Sequence, residues 1–313
     1  MQKVFAAGFI VYLNERFPPV AYISMIILFF VSGYLLPFAI NKNISGIAFM
    51  EIIFGVILVL IFYLRLRIFD DFKDFCIDIK IHPERPVQRG IISLNELGIV
   101  AILAVIIESL IVLVFLRQVL IVYIIALIFS AVMLYEFFCR KSLRKDIYIY
   151  ALPHILIMPI LGLIGFFASA DKFNETYFIA LVIYLAICYF SGLVFEISRK
   201  MHSAQELLRK KPSFSKRFGF VKSFMVLNFL ILSTFLCIFF LWSGIYEVQI
   251  FPKYFFASIL LYLIIISSIF ILTISFREKI LSINNKSYAL LGSIVIMLSY
   301  LATIVIELGR ILK

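Results

Sequence analysis

Nine times along this chain an apolar run of roughly twenty residues recurs, each about long enough to cross the hydrocarbon of a bilayer as a helix. The runs fall near 20–40, 46–66, 94–116, 119–135, 148–168, 177–196, 222–242, 254–275 and 287–308. Lipid offers no partner to an unpaired backbone amide, so only helices and closed barrels span it. These runs are continuous rather than alternating, which predicts an all-α polytopic membrane bundle of about nine helices, residues 1–313 forming one membrane-embedded domain. Composition agrees: 64% of the residues are hydrophobic and 15% charged, with a mean hydropathy of +1.11, against about 45–50% and about 25% in soluble domains. A water-soluble enzyme, a disordered chain, a collagenous repeat and a disulfide scaffold are excluded. A membrane enzyme, a transporter or a channel is not.

The N-terminal apolar stretch, Val4 to Leu13, is short and runs into Asn14-Glu15-Arg16-Phe17-Pro18-Pro19 rather than a small-residue cleavage site. That predicts an interfacial helix leading into the first span rather than a signal peptide. Cys76, Cys139, Cys188 and Cys237 stand singly, without the paired spacing of a metal or redox motif.

The net charge of +11 in a soluble protein would raise the question of nucleic acid. No nucleic-acid motif is present, and in a membrane protein the excess reads as cytoplasmic loops facing anionic lipid. With the N-terminus inside, all but six of the 29 lysines and arginines fall on the cytoplasmic side. The exceptions are Lys42, Arg117, Lys172, Lys253, Arg310 and Lys313. A missing span would invert every later loop and destroy this asymmetry, so the odd count is self-consistent. The expectation is an integral protein of the cell inner membrane with its C-terminus outside. Two cytoplasmic connections are long, 67–93 and 197–221, after the second and sixth spans. Loops of that length are usually functional when they are not disordered, and these hold Phe, Ile and Leu among their charges.

The first of them carries the densest acidic cluster. It reads Arg65-Leu-Arg67-Ile-Phe-Asp70-Asp71-Phe-Lys73-Asp74-Phe-Cys-Ile-Asp78, then His82-Pro83-Glu84-Arg85-Pro86-Val-Gln-Arg89-Gly90. If the second span continues helically through Asp78, then Asp70, Asp74 and Asp78 stand at i, i+4 and i+8, with Asp71 alongside, all four on one face. Like charges at that spacing destabilise a helix, and at its C-terminal end they oppose the macrodipole. Lys73 lies about 100° from Asp74 on the helix and is not expected to neutralise the row. One reading is a solvated helix end paired with Lys73, Lys80 and Arg67. The other is a site for a hard dication, where Mg2+ is held by one or two carboxylates and phosphate oxygens. Pro83 and Pro86 end the helix and set Arg85 and Arg89 on a stiff turn, and arginine forks suit phosphate. Together these residues describe a diphosphate site.

The run Asp70-Asp71-x-x-Asp74-x-x-x-Asp78 resembles the first Asp-rich motif of the UbiA-type intramembrane prenyltransferase superfamily, N-D-x-x-D-x-x-x-D. The segment Pro83-Glu84-Arg85-Pro86-Val-x-Arg89-Gly90 is similar to that family's R-P-hydrophobic-x-x-G tail. Nine helices with cytoplasmic motif loops capping helices 2 and 6 match as well. The resemblance implies a Mg2+-dependent transferase that ionises a polyprenyl diphosphate, its chain lying in an apolar tunnel, and passes the allylic cation to an acceptor. It implies metal or diphosphate contacts at Asp70, Asp71, Asp74 and Asp78, with Asp71 and Asp74 catalytic, and phosphate contacts at Arg85 and Arg89. Asp70 stands where the family has Asn, adding a charge.

The family's second motif, D-x-x-x-D at the end of helix 6, is altered. Here the chain reads Phe195-Glu196-Ile-Ser-Arg199-Lys200-Met-His202, a carboxylate and an ammonium in place of two carboxylates. By resemblance Glu196 is a catalytic residue and a ligand for one Mg2+, with Arg199 and Lys200 neutralising the diphosphate where a second metal would sit. A loss of catalysis, or ordinary interfacial basic residues, is the alternative.

The basic run from Arg209-Lys210-Lys211-Pro212 to Lys222 reads as a lipid-facing patch, and His82, His154 and His202 lack ligand spacing. Glu108, inside the third span, is the clearest intramembrane carboxylate and faces the bundle interior by expectation, with a structural or tunnel role. Pro153, Pro159, Gly162 and Gly165 predict a kinked fifth span. The partners expected are a polyprenyl diphosphate, an unknown acceptor and membrane lipids, with no nucleic acid. Other readings are a relative that cyclises its prenyl substrate or passes the chain to a sugar phosphate, and a transporter or noncatalytic lipid-binding protein. The D-G-x-x-A-R opening of the CDP-alcohol phosphotransferases is missing. Carboxylates gathered at one face, rather than at midplane in broken helices, weigh against the transporter.

Overall fold

The computed structural model describes residues 2–42, 46–144, 146–170, 175–201, 219–246 and 285–312. Those residues are helical apart from short turns, and among them eight helical stretches are long and apolar enough to cross a membrane. The protein is an integral membrane all-α bundle. The span expected at 254–275, His202 and most of the basic run from Arg209 lie outside the described residues.

The helices, numbered in order over the described residues, are α1 (Gln2–Arg16), α2 (Pro19–Asn41), α3 (Phe49–Ile81), α4 (Leu94–Phe115), α5 (Leu120–Leu134) and the single turn α6 (Arg140–Leu143). They continue with α7 (Ile147–Ile155), α8 (Ile157–Ser169), α9 (Glu175–Arg199), α10 (Phe220–Tyr246) and α11 (Asn285–Ile311). α1 is the short helix expected before Pro18-Pro19. The break at Leu156 between α7 and α8 is the expected kink: Pro159 has no N–H to offer the Ile155 carbonyl one turn back.

Two compact units divide the chain. The first comprises Met1–Leu35, Ser45–Ser142 and Ile160–Lys172. In it α3 and α4 lie side by side, locked by Arg65 of α3 and Glu108 of α4, both fully buried. Arg65 also donates to Ser130 of α5 at 2.9 Å, and its guanidinium lies over the Phe62 ring, 4.3 Å from the centroid. Glu108 therefore has the structural role expected of it. Arg65 is a correction: counted above with the cytoplasmic basic residues, it is instead buried against Glu108 between the helices.

The second unit comprises Leu36–Ile44, Leu143–Pro159 and Phe173–Lys313. α9 packs against α10, α11 and α7. Ala151 joins Leu193, Val194, Ile197 and Met201 from the end of α9, and Phe224, Leu227 and Leu230 from α10, in one apolar cluster. Ser191 of α9 and Tyr300 of α11 share a hydrogen bond at 2.9 Å inside it. Asp146 caps α7, its side chain accepting from the Tyr148 amide at 2.8 Å.

Candidate functional site

α3 is 33 residues long, about 50 Å at 1.5 Å per residue, so it runs well past the residues that fill a hydrocarbon core of about 30 Å. What reads in sequence as the start of a long loop is helix as far as Ile81, and the connection to α4 is correspondingly short. The helix closes where the His82 amide bonds the Asp78 carbonyl at 2.8 Å and Pro83 follows.

The overhang carries the acidic row. Asp71 and Asp78 continue the buried face that runs through Leu58, Phe62, Arg65 and Ile68. Asp70 turns away from it, its side chain 42% exposed and paired with Lys73 at 2.9 Å and Arg67 at 3.4 Å. This corrects two expectations. The four carboxylates do not share one face, and Lys73 does neutralise part of the row, because i and i+3 positions meet on a helix surface.

Asp71 is 1% exposed and both of its oxygens are engaged by α1: Oδ2 accepts from the Tyr12 hydroxyl at 2.6 Å and Oδ1 from the Arg16 guanidinium. Burial first, and then the charge of Asp71, push the Tyr12 phenol well above the ordinary tyrosine range. Asp78 accepts from Arg85. Burial and the neighbouring Arg16 charge pull Arg85 below the usual guanidinium value, with Asp78 opposing them.

The turn that brings Arg85 back to the helix has its own local logic. Arg85, Arg89, Gly90 and Ile91 amides bond the carbonyls of His82, Arg85, Val87 and Pro86 at 2.9–3.2 Å. Gly90 sits at φ +72°, a left-handed conformation that costs a side-chain-bearing residue roughly 1–2 kcal/mol. Ser93 then opens α4 with a reciprocal cap, accepting from the Glu96 amide at 3.2 Å while Glu96 accepts from the Ser93 amide at 2.8 Å. Val87 and Ile92 bury against Tyr12, Ile68, Leu97 and Ala101, with Phe5 and Phe9 of α1 packed on them. α1 approaches the turn closely at Gly8, where a Cβ would stand 2.5 Å from the Ile91 carbonyl oxygen. Arg89 pairs with Glu15 of α1.

Thus the first unit brings Asp71, Asp78, Arg85 and Arg89 into one network with α1. Sequence reading missed Tyr12, Glu15 and Arg16 as members; the available signal was Tyr12 and Arg16 one turn apart on an interfacial helix. In the second unit Glu196, near the end of α9, is held by Arg199 at 2.7 Å and by Lys200, whose ammonium lies 5.5 Å from the Tyr150 ring centroid.

The donor chemistry is all hard oxygen, which suits Mg2+. Among the described residues, however, no three acidic, histidine or cysteine side chains converge on one point, and the oxygens of Asp71 are already taken. The set does not fit a preformed all-protein cage. It fits a Mg2+ ion that arrives with phosphate oxygens and takes one or two carboxylates, Asp74 and its neighbours on α3.

The fold and site define an integral membrane helical protein that presents an acidic helix end gripped by arginines. The profile of the UbiA prenyltransferase family matches residues 26–291, and the chain belongs to that family of prenyl-transferring enzymes. The fold is similar to a solved structure of a digeranylgeranylglyceryl phosphate synthase, with a TM-score of 0.55 and 18% sequence identity. That likeness covers 92% of this chain and 98% of the other. No curated protein matches in sequence.

Proposed function

We propose that this protein transfers a polyprenyl group from its diphosphate to an acceptor within the membrane, in a Mg2+-dependent reaction on the cytoplasmic side of an inner membrane. The observation that carries this reading is the Asp71–Asp74–Asp78 row on the overhang of α3, facing Arg85 on the turn that follows. When bound, Mg2+ supplies charge to the departing diphosphate. Asp74 and Asp78 would hold the metal, with Asp70 at the edge of the row, and Asp71 orders the surrounding cations. Arg85 and Arg89 offer planar forks to the phosphate oxygens. As the carbon–oxygen bond to the prenyl group breaks, these donors stabilise the negative charge that develops, and the surrounding apolar helices keep water from the allylic cation.

Glu196 offers one carboxylate on the second motif, and Arg199 and Lys200 neutralise diphosphate charge where a second metal would otherwise bind. The acceptor is a molecule that reaches the site through the membrane.

The test is incubation of purified protein with Mg2+ and labelled prenyl diphosphates of several lengths, with and without membrane extract. The expected result is diphosphate release and a prenylated lipid-soluble product, both lost with chelator and in Asp74→Asn. Saturable cation uptake into liposomes with no diphosphate release would overturn the reading in favour of a transporter.

A further inference from the structure

The N-terminal helix contacts the Asp-rich motif along its length. Three successive turns of α1 touch the motif: Gly8 against the Ile91 backbone, Tyr12 on Asp71, and Glu15 and Arg16 on Arg89 and Asp71. Arg16 is nine-tenths buried, its side chain 10% exposed. Only part of its fork is used. Nη2 meets Asp71, while Nε is buried with no hydrogen-bond partner among the described residues. A buried donor left unmade costs about 1–3 kcal/mol, more for a charged group. Arg16 and Arg67 also stand within electrostatic reach of Arg85, so like charges are crowded beside the acidic row. The turn adds another unmet pair: the side-chain nitrogen and oxygen of Gln88 are buried without a partner among the described residues. Crowded guanidinium charge and orphaned donors lack an anion with several oxygens.

We propose that Arg16 is a phosphate-binding residue of this site, held in place by Asp71 and Tyr12, so that the diphosphate of the substrate fastens α1 onto the motif. This inference rests on the prenyl diphosphate reading above and adds to it a third arm from outside the Asp-rich motif. Asp71 then acts as the positioning residue for Arg16, as a buried carboxylate fixes a fork in register. The hydroxyl of Tyr12 keeps the second Asp71 oxygen occupied, so the unused N–H groups of Arg16, rather than the carboxylate, are what a phosphate would engage.

The experiment uses the full chain in neutral phosphatidylcholine nanodiscs with Mg2+ present and inorganic pyrophosphate as the probe. Calorimetry reads affinity, and hydrogen exchange over residues 2–16 reads the fastening of α1. Pyrophosphate is expected to bind the unsubstituted protein and slow exchange in α1. Arg16→Gln is expected to weaken binding at least tenfold and abolish the slowing, and Arg16→Lys to recover part of the affinity. Arg16→Gln/Asp71→Asn removes both members of the ion pair. It controls for misfolding by restoring thermal stability without restoring pyrophosphate binding.

Binding by Arg16→Gln that equals the unsubstituted protein, while Arg85→Gln binds weakly, would overturn the inference and leave the diphosphate reading standing. Recovery of binding in the double variant would also overturn it, since Arg16 would then serve only to neutralise Asp71. No pyrophosphate binding by the unsubstituted protein would overturn both. Equal slowing of α1 by phosphatidylglycerol nanodiscs without pyrophosphate would overturn the assignment of the phosphate to substrate rather than to lipid head groups.

Discussion

Arg65 grips Glu108 with two parallel hydrogen bonds, Nε to Oε1 at 2.9 Å and Nη2 to Oε2 at 3.0 Å, deep between α3 and α4. The Tyr123 hydroxyl adds a donor to Oε2 at 3.3 Å. Removing one partner leaves an uncompensated buried charge, so Glu108→Ala is expected to cost about 3–5 kcal/mol. Replacing both, as Arg65→Met/Glu108→Leu, is expected to fall within about 1 kcal/mol of the original or to be more stable by about 1–4 kcal/mol. Reversible unfolding in mixed micelles measures both. A double variant as unstable as Glu108→Ala would show that the pair does more than hold the two helices.

Asp70 and Asp74 separate two roles that their sequence spacing merges. Asp70 is paired with its own helix neighbours, whereas Asp74 lies between the buried Asp71 and Asp78 along α3. Asp70→Asn is expected to lower kcat/KM less than tenfold and Asp74→Asn more than a hundredfold, in the diphosphate-release assay. Equal losses would place Asp70 on the metal after all.

The second motif offers a charge exchange. Lys200→Asp restores the four-residue carboxylate pair with Glu196, and its expected effect is a steeper dependence of rate on Mg2+ concentration. Arg199 retains its pairing with Glu196 in that variant, so folding is preserved. A Mg2+ dependence identical to that of the unsubstituted protein would exclude Lys200 from the position of a second metal.

Tyr12 predicts an alkaline limit to stability. Its phenol is raised by burial and by Asp71, so the folded protein keeps the proton that the unfolded chain releases above about pH 10. That contribution is complete below the unfolded value and is lost as pH climbs from there toward the folded one. Thermal stability should therefore fall more steeply above about pH 10 in the unsubstituted protein than in Tyr12→Phe. Parallel pH profiles would mean that the hydroxyl is not buried against Asp71.

Glu307 is fully buried on α11, and neither carboxyl oxygen has a hydrogen-bond partner among the described residues. An unmade buried polar group costs about 1–3 kcal/mol, so Glu307→Leu should raise the unfolding temperature. A fall in stability would reveal a partner for Glu307 outside the described residues.

Much of this was legible in the residues. The apolar runs place seven of the eight described spans within about five residues, because each is set by length and polarity alone; α3 starts where expected and runs on to Ile81. The continuation of helix through Asp78, its end before Pro83 and the kink near Pro159 follow from local rules. What escaped was pairing across the fold. Arg65 reads as one more cytoplasmic basic residue because spacing along one chain does not reveal that Glu108 stands opposite it. Tyr12 and Arg16 read as interfacial for the same reason: their meaning lies in Asp71, more than fifty positions away. Lys73 was misjudged through attention to Asp74, when Asp70 was the neighbour within reach.

The unbroken length of α3 makes it a gauge. The same rod that is clamped inside the membrane at Arg65 ends at the carboxylates, so their height and bearing are set by a residue count. One residue inserted between Arg65 and Asp71 would swing Asp71, Asp74 and Asp78 about 100° away from Arg16 and Arg85 while leaving the apolar part of the helix undisturbed. Four residues removed would keep the bearing to within about 40° and lower the carboxylates by about 6 Å. The register between anchor and carboxylates is thus fixed by the number of residues between them, and a change of length disturbs it where an exchange of side chain on the exposed face of α3 does not.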